Sequence, residues 1–167
     1  MTEWTRYIVK VAGISLGRSQ CGAMVTVLLI VFWQPLPALA SCSFRSVTDV
    51  GFGDYNVFDT LPDTGGVGSI TIKCQGGPGN AFDVTLSTGQ SHSYASRLMM
   101  SGANTLTYNI YTSATRSIVW GDGHGGSSTQ TAYKNSTTTL SLFGQIPAGQ
   151  DVANGIYTDN LIATVNF

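Results

Sequence analysis

The chain has 167 residues, a formal net charge of −1 at pH 7 and only 10% charged side chains. This length suits a single small domain, and the absence of any basic cluster in the sequence disfavours nucleic-acid binding. Gly, Ser, Thr and Asn are abundant while Glu and Lys are scarce, so the composition favours strands and turns over helices.

The first 40 residues have the order of a secretory signal peptide. Basic residues precede an apolar run at residues 22–33, and an A-x-A motif that ends at Ala40 follows this run. The run is about a dozen residues long, whereas a membrane-spanning helix takes roughly 20. We therefore predict an exported protein in which residues 1–40 are a cleaved signal, residues 41–167 form the mature domain, and no transmembrane anchor remains.

The cysteines predict one disulfide in the mature chain. Cys21 lies inside the predicted signal, which leaves Cys42 and Cys74 as an even pair in a compartment where disulfides persist. Residues 39–42 (LASC) also resemble a bacterial lipobox, in which Cys42 would carry a lipid and Cys74 would remain a lone thiol. The sequence favours the disulfide, worth about 3–4 kcal/mol through loop closure, and lipidation of Cys42 is the alternative.

Short alternating segments, separated by turn residues, follow one another along the mature chain. Residues 68–74 place Ile70, Ile72 and Cys74 on one face, and residues 82–86 alternate in the same way. Further strands are predicted at residues 98–100, 106–111, 117–120 and 137–143. Roughly seven strands, no helical period and one intersheet-type disulfide predict an all-β immunoglobulin-like sandwich, with a barrel as the alternative.

The final segment, residues 155–167, is predicted to be a strand with one apolar face. That face consists of Leu161, Ala163, Val165 and Phe167. The sequence stops there, so we expect the strand to be an uncovered hydrophobic edge, a feature that invites aggregation unless a partner covers it.

A series of short motifs runs in order along the whole mature chain: Cys42 with residues 50–55 (VGFGDY), 68–74 (GSITIKC), 107–111 (TYNIY) with 119–123 (VWGDG), 143–150 (FGQIPAGQ), and 155–159 (GIYTD) with 165–167 (VNF). Together they resemble the spore coat protein U domain family, whose members include the subunits of archaic chaperone-usher pili. Each motif is short and rich in turn residues, so the order of the motifs carries the resemblance.

The resemblance implies an immunoglobulin-like sandwich that lacks its last strand and has a hydrophobic groove beside the C-terminal strand. A periplasmic chaperone fills this groove first, and an N-terminal segment of the neighbouring pilus subunit replaces it at the outer-membrane usher. The expected groove wall is Leu161, Ala163, Val165 and Phe167. The expected role is that of a structural and adhesive pilus subunit, periplasmic in transit and then at the cell surface, that contributes to attachment or biofilm.

The predicted cleavage site departs from the family pattern. Polymerising subunits carry a donor stretch before their first domain cysteine, whereas cleavage after Ala40 leaves only Ser41 before Cys42. This predicts a subunit that accepts a strand but does not donate one, as a subunit at the distal tip of a fibre would. The alternatives are a misplaced cleavage site, a minor subunit, or a free-standing secreted coat or carbohydrate-binding domain.

No catalytic, metal or cofactor site is predicted. Asp122, His124 and Ser127 have the composition of a catalytic triad, but they lie in a glycine-rich turn without a nucleophile elbow. His92 and His124 are the only histidines of the sequence, and neither has spaced partners for a metal ion. We therefore expect a protein that is not an enzyme.

Two other groups of residues are predicted not to form a ligand site. Trp120, Tyr108 and Tyr111 would suit a sugar-binding surface, but aromatic residues in strands usually pack the core or stiffen a sheet. The aspartates at positions 49, 54, 59 and 63 do not follow the ligand spacing of a calcium loop. We expect them to be solvated residues of a loop-rich stretch.

Overall fold

The computed structural model describes residues 6–16, 40–77 and 79–166. For residues 6–16 the description is of the backbone and its pairing with other strands. These ranges contain eleven β-strands, one 3₁₀ turn at Gly89–Ser91 and no α-helix. In chain order the strands are β1 (Arg6–Leu16), β2 (Ser41–Asp54), β3 (Val67–Gln75), β4 (Ala81–Leu86), β5 (Arg97–Ser101), β6 (Asn104–Tyr111), β7 (Val119–Trp120), β8 (Ser127–Ser128), β9 (Gln130–Tyr133), β10 (Ser136–Gln145) and β11 (Thr158–Asn166).

The predicted strands are present, and burial follows the predicted alternation. In β3, Ile70, Ile72 and Cys74 are fully buried, and the residues between them are half-buried. Only Val119 and Trp120 of the segment predicted at residues 117–120 are in a strand. The all-β prediction is confirmed.

Three strands after residue 40 have no counterpart in the predictions: β2, the two-residue β8, and β9. In β2 the residues from 43 to 49 are exposed or half-buried, and its register with β3 shifts twice, so its apolar residues show no regular period of two. Asp49 and Asp54, which the sequence places in a loop, lie on this strand. A further strand, β1, lies inside the predicted signal. The cleavage itself stays a prediction, because residues 17–39 lie outside the described residues.

The strands pair in the order β8-β7-β6-β10-β3-β2-β1-β11-β4-β9, and β5 pairs with both β6 and β11. One half of this sheet is therefore β6, β10, β3 and β2, and the other half is β11, β4 and β9. Buried side chains from both halves belong to a single hydrophobic cluster, as when two layers of a sandwich face each other. The strand β1 joins the halves at one side of the sandwich, and β5 joins them at the other.

The predicted disulfide between Cys42 and Cys74 is confirmed. The two residues are direct register partners on β2 and β3, with Cys74 fully buried and Cys42 9% exposed. The sequence analysis expected a link between the two layers, and this expectation is wrong. The disulfide joins neighbouring strands of one half, because the antiparallel register of β2 and β3 puts the cysteines opposite each other.

Candidate functional site

The strand β11 carries the predicted groove residues. Leu161, Ala163 and Val165 are at most 1% exposed, whereas Ile162 between them is 44% exposed. The three apolar residues therefore share the inward face, as the alternation predicts. Phe167, the fourth predicted residue, lies outside the described residues.

The two edges of β11 have different neighbours. On one edge β11 pairs antiparallel with β4 from Ala163 to Asn166. On the other edge β1 runs parallel to it, with register partners that extend from Thr158 to Val165. In residues 40–77 and 79–166 no strand pairs with β11 on the β1 side, so among the described residues β1 alone occupies this edge.

The backbone groups that this edge presents can be identified from the opposite side. Ile162 bonds with Ser87 on the β4 side: its N–H donates to the Ser87 hydroxyl and its carbonyl accepts from the Ser87 N–H, both at 2.9 Å. Backbone groups point alternately to the two edges of a strand. The N–H and C=O groups of Leu161 and Ala163 therefore point towards β1, and a partner strand has to pair with them.

The strand β1 also reaches the other half of the sandwich. Its first residues pair antiparallel with the end of β2, from Arg6 opposite Asp54 to Val9 opposite Val50. The candidate site is thus the space between the edges of β2 and β11, and β1 occupies it by pairing with both strands. Val50 and Phe52 of β2 are both buried beside this gap.

Asp159 anchors the beginning of β11. Its buried carboxylate accepts hydrogen bonds from the Tyr108 hydroxyl at 2.7 Å, the Gln90 N–H at 3.1 Å and the Asn160 N–H at 2.8 Å. Burial, and secondarily the charge of Asp159, raises the pKa of Tyr108 well above its ordinary value. Tyr108 therefore stays protonated and donates to the carboxylate at neutral pH.

Arg97 is the buried cation of the same region. It donates to the Ser87 carbonyl at 2.8 Å, to the Trp120 carbonyl at 2.7 Å and to Asn109 Oδ1 at 2.6 Å. Burial lowers the pKa of Arg97, and its electrostatic interactions with Tyr108, Tyr94 and Asp159 oppose this shift. Since Ser87 also bonds to Ile162, Arg97 supports the β4-side edge of β11.

The sequence analysis did not identify this polar network. Asp159 lies two residues before Leu161, so the alternation of β11 places both side chains on the inward face. This alternation is the one signal in the sequence that predicts the burial of Asp159. For Arg97 the position next to the apolar residues of β5 gives no comparable signal. Its partners are mostly backbone carbonyls from distant parts of the chain.

The candidate triad residues meet in one turn without triad geometry. The hydroxyl of Ser127 donates to the His124 carbonyl at 2.7 Å and to the Asp122 carboxylate at 3.4 Å, so its proton is not directed at the imidazole. The backbone N–H of His124 donates to Asp122 Oδ1 at 2.9 Å, and this bond lowers the pKa of Asp122. These contacts stabilise the turn, and they do not activate a nucleophile.

The predicted structural role of the aromatic residues is confirmed for two of the three. Trp120 and Tyr108 are at most 1% exposed, and the Trp120 indole N–H donates to the Val84 carbonyl at 2.9 Å. Tyr111 is half-buried. Among the described residues, no three His, Cys, Asp or Glu side chains are grouped to hold a metal ion, and no helix has the length and hydrophobicity to cross a membrane.

A second concave region lies in the loop that follows β2. It is an open cleft of about 480 Å³, lined by residues that include Tyr55, Asp59, Leu61 and Asp63. Phe58 and Leu61 in this loop are 86% and 77% exposed. Among the described residues, no buried polar side-chain atom lacks a hydrogen-bond partner.

Known proteins are similar to this chain in sequence and in fold. A family model, the Spore Coat Protein U domain, matches residues 31–164. Protein U of Myxococcus xanthus is 26% identical over 142 residues, in an alignment that covers 76% of this chain and 78% of that protein. A solved structure, the CsuC-CsuE chaperone-tip adhesion subunit pre-assembly complex from archaic chaperone-usher Csu pili of Acinetobacter baumannii, aligns at 21% identity with a TM-score of 0.47. The alignment covers 77% of this chain, which spans 40% of the length of that solved chain.

Proposed function

The chain belongs to the Spore Coat Protein U domain family, and we propose that it is a pilus subunit assembled by the chaperone-usher route. In this proposal a periplasmic chaperone supplies a strand to the edge of β11 that faces β1. A segment of a neighbouring subunit then replaces that strand at an outer-membrane usher. The protein is exported, is periplasmic in transit and ends at the cell surface.

The observation that carries the proposal is the β1-facing edge of β11. The backbone groups of Leu161 and Ala163 point to this edge, and the side chains of β11 alternate between the core and solvent. A strand added there would gain main-chain hydrogen bonds, and its alternate side chains would enter the core. Cleavage after Ala40 would remove β1 and leave this edge unpaired, which turns it into an acceptor for a partner strand.

The same cleavage supports a position at the tip of the fibre. Only Ser41 would precede Cys42, and Cys42 is held against β3 by its disulfide. One residue cannot reach the groove of another subunit, so the mature chain accepts a strand and donates none. A terminal subunit of this kind is placed to take part in attachment and biofilm formation.

Co-expression of the chain with a periplasmic chaperone tests the acceptor function. We expect a one-to-one complex that can be isolated from the periplasm. Deletion of residues 163–167 should abolish the complex, because it removes most of the inward face of β11. The matched control is Ile162→Ser, which changes an outward residue of the same strand and should leave the complex intact.

Two results would contradict the proposal. A complex that survives the deletion would show that the chaperone binds elsewhere. A mature chain that folds cooperatively as a soluble monomer without any chaperone would support the alternative, a free-standing secreted coat or carbohydrate-binding domain. The tip position requires in addition that the mature chain binds a donor-strand peptide without polymerising.

A further inference from the structure

The register of β1 matches the alternation of β11. The residues of β1 that lie opposite the buried residues of β11 are all apolar: Val9, Val11, Ile14 and Leu16. Lys10 and Ser15, in contrast, lie opposite Asn160 and Thr164, which are exposed and half-buried. At the start of the ladder Ile8 lies opposite half-buried Thr158 and Val9 lies opposite the buried carboxylate of Asp159. From Lys10 to Leu16 the polar and apolar positions of the two strands are in phase.

A register shift within β1 maintains this phase. One extra residue is accommodated between Val11 and Ile14. Without the shift, Gly13 and Ser15 would lie opposite buried residues of β11, and the apolar residues Ile14 and Leu16 would lie opposite the outward ones. A slip of one residue reverses the faces of a strand, so the bulge keeps the second half of β1 in the apolar register.

We propose that Arg6–Leu16 is an intramolecular complementing strand. In the uncleaved chain it pairs with the edge of β11 and with the end of β2, and it closes the gap between the two halves of the sandwich. Cleavage of the leader removes it and opens the edge to the strand of a partner. The role of the opened edge rests on the proposed function, whereas the pairing of β1 with β11 does not.

Amide hydrogen exchange of the full chain tests the pairing, because adjacent amides of β11 report on opposite edges. The uncleaved chain would be refolded in mild detergent with its disulfide formed, and exchange would be followed residue by residue by NMR. We expect the Leu161 and Ala163 amides, which face β1, to be protected together with the Ile162 amide, which faces Ser87. Rapid exchange of Leu161 and Ala163 beside a protected Ile162 would overturn the proposal.

A matched pair of variants then identifies β1 as the source of the protection. Val11→Asp puts a carboxylate opposite buried Leu161 and should speed exchange of Leu161 and Ala163 by roughly tenfold or more, with Ile162 little changed. Lys10→Asp introduces the same residue opposite exposed Asn160 and should change nothing. Equal effects of the two variants, or no effect of either, would contradict the inference.

Global unfolding is recognised at Ile72, which is fully buried on β3 and opposite Phe44 of β2, outside the part of β2 that pairs with β1. If Val11→Asp also removes the protection of Ile72, the pair Val11→Ser and Lys10→Ser makes the same comparison with a smaller perturbation. The chaperone experiment separates this inference from the proposed function. If the Leu161 and Ala163 amides exchange rapidly in the uncleaved chain, but the cleaved chain forms the chaperone complex, only the complementing strand is refuted. If these amides are protected, but the cleaved chain forms no complex, only the pilus function is refuted.

Discussion

The hydroxyl of Tyr108 donates a 2.7 Å hydrogen bond to the carboxylate of Asp159, and this contact ties β6 to the beginning of β11. Both side chains are at most 1% exposed. Because β11 carries the candidate acceptor edge, the bond also fixes where that edge begins. The edge therefore depends on buried polar contacts as well as on the apolar face of Leu161 and Ala163.

Replacement of Tyr108 by phenylalanine should destabilise the domain. Tyr108→Phe leaves a buried carboxylate without one of its three donors, and we expect the free energy of unfolding to fall by about 1–3 kcal/mol. Urea denaturation of the full chain measures the change. Tyr133→Phe is the control, because Tyr133 is 56% exposed, and it should have no measurable effect. Equal stability of the two variants would show that the hydroxyl of Tyr108 contributes nothing.

The stability of the domain should fall in alkaline solution. Burial raises the pKa of Tyr108, and it also raises the pKa values of Tyr94 and Tyr157. The unfolded state loses these protons near pH 10, the ordinary tyrosine value, while the folded state keeps them. The unfolded state then binds fewer protons than the folded state, so the free energy of unfolding decreases as the pH rises above about 10. Below about pH 10 these tyrosines add no pH dependence.

Unfolding titrations at several pH values measure this slope. Tyr108→Phe should reduce it relative to the unsubstituted chain. An unchanged slope would mean that Tyr108 ionises alike in the folded and unfolded states.

Gly89 should tolerate no side chain. It has a φ of +63°, and a Cβ atom there would lie 2.0 Å from Asp159 Oδ2. Gly102 has a similar φ of +59° but open space around it, so Gly102→Ala incurs the backbone penalty alone. We expect Gly89→Ala to lower the free energy of unfolding by about 1–3 kcal/mol more than Gly102→Ala, the usual cost of overpacking. Equal losses in thermal or urea unfolding would contradict the collision with Asp159.

The disulfide should contribute measurably to stability. Its cysteines are 32 residues apart, and replacement of both by serine should cost about 3–4 kcal/mol through loop closure in the unfolded chain. Urea unfolding of the double variant measures this cost, with the reduced parent chain as the control. A cost below about 1 kcal/mol would contradict the loop-closure account.

The intact mass of the protein from the periplasm tests both the cleavage and the cysteine chemistry. We expect the mass of residues 41–167 less two hydrogens. A mass that retains residues before Ser41 would move the cleavage site and remove the support for a tip position. An added lipid mass at Cys42 would contradict the disulfide.

Much of the candidate site could be predicted from local patterns. The inward face of Leu161, Ala163 and Val165 follows from the period of two in a strand, and so does that of Ile70, Ile72 and Cys74. The even number of cysteines after the predicted cleavage site was sufficient to pair Cys42 with Cys74. These inferences hold because each depends on neighbouring residues or on a simple count.

Only the tertiary structure decided which strands lie side by side. The direct opposition of Cys42 and Cys74 within one half of the sandwich depends on the register of β2 with β3. The burial of Arg97 depends on carbonyls from Ser87 and Trp120, and the position of β1 beside β11 depends on pairing across about 150 residues of chain. The sequence alone determined the faces of regular strands such as β3, β4 and β11, because side-chain alternation is local. The neighbours of those strands, and with them the gap that β1 fills, are set by long-range pairing that no local period contains.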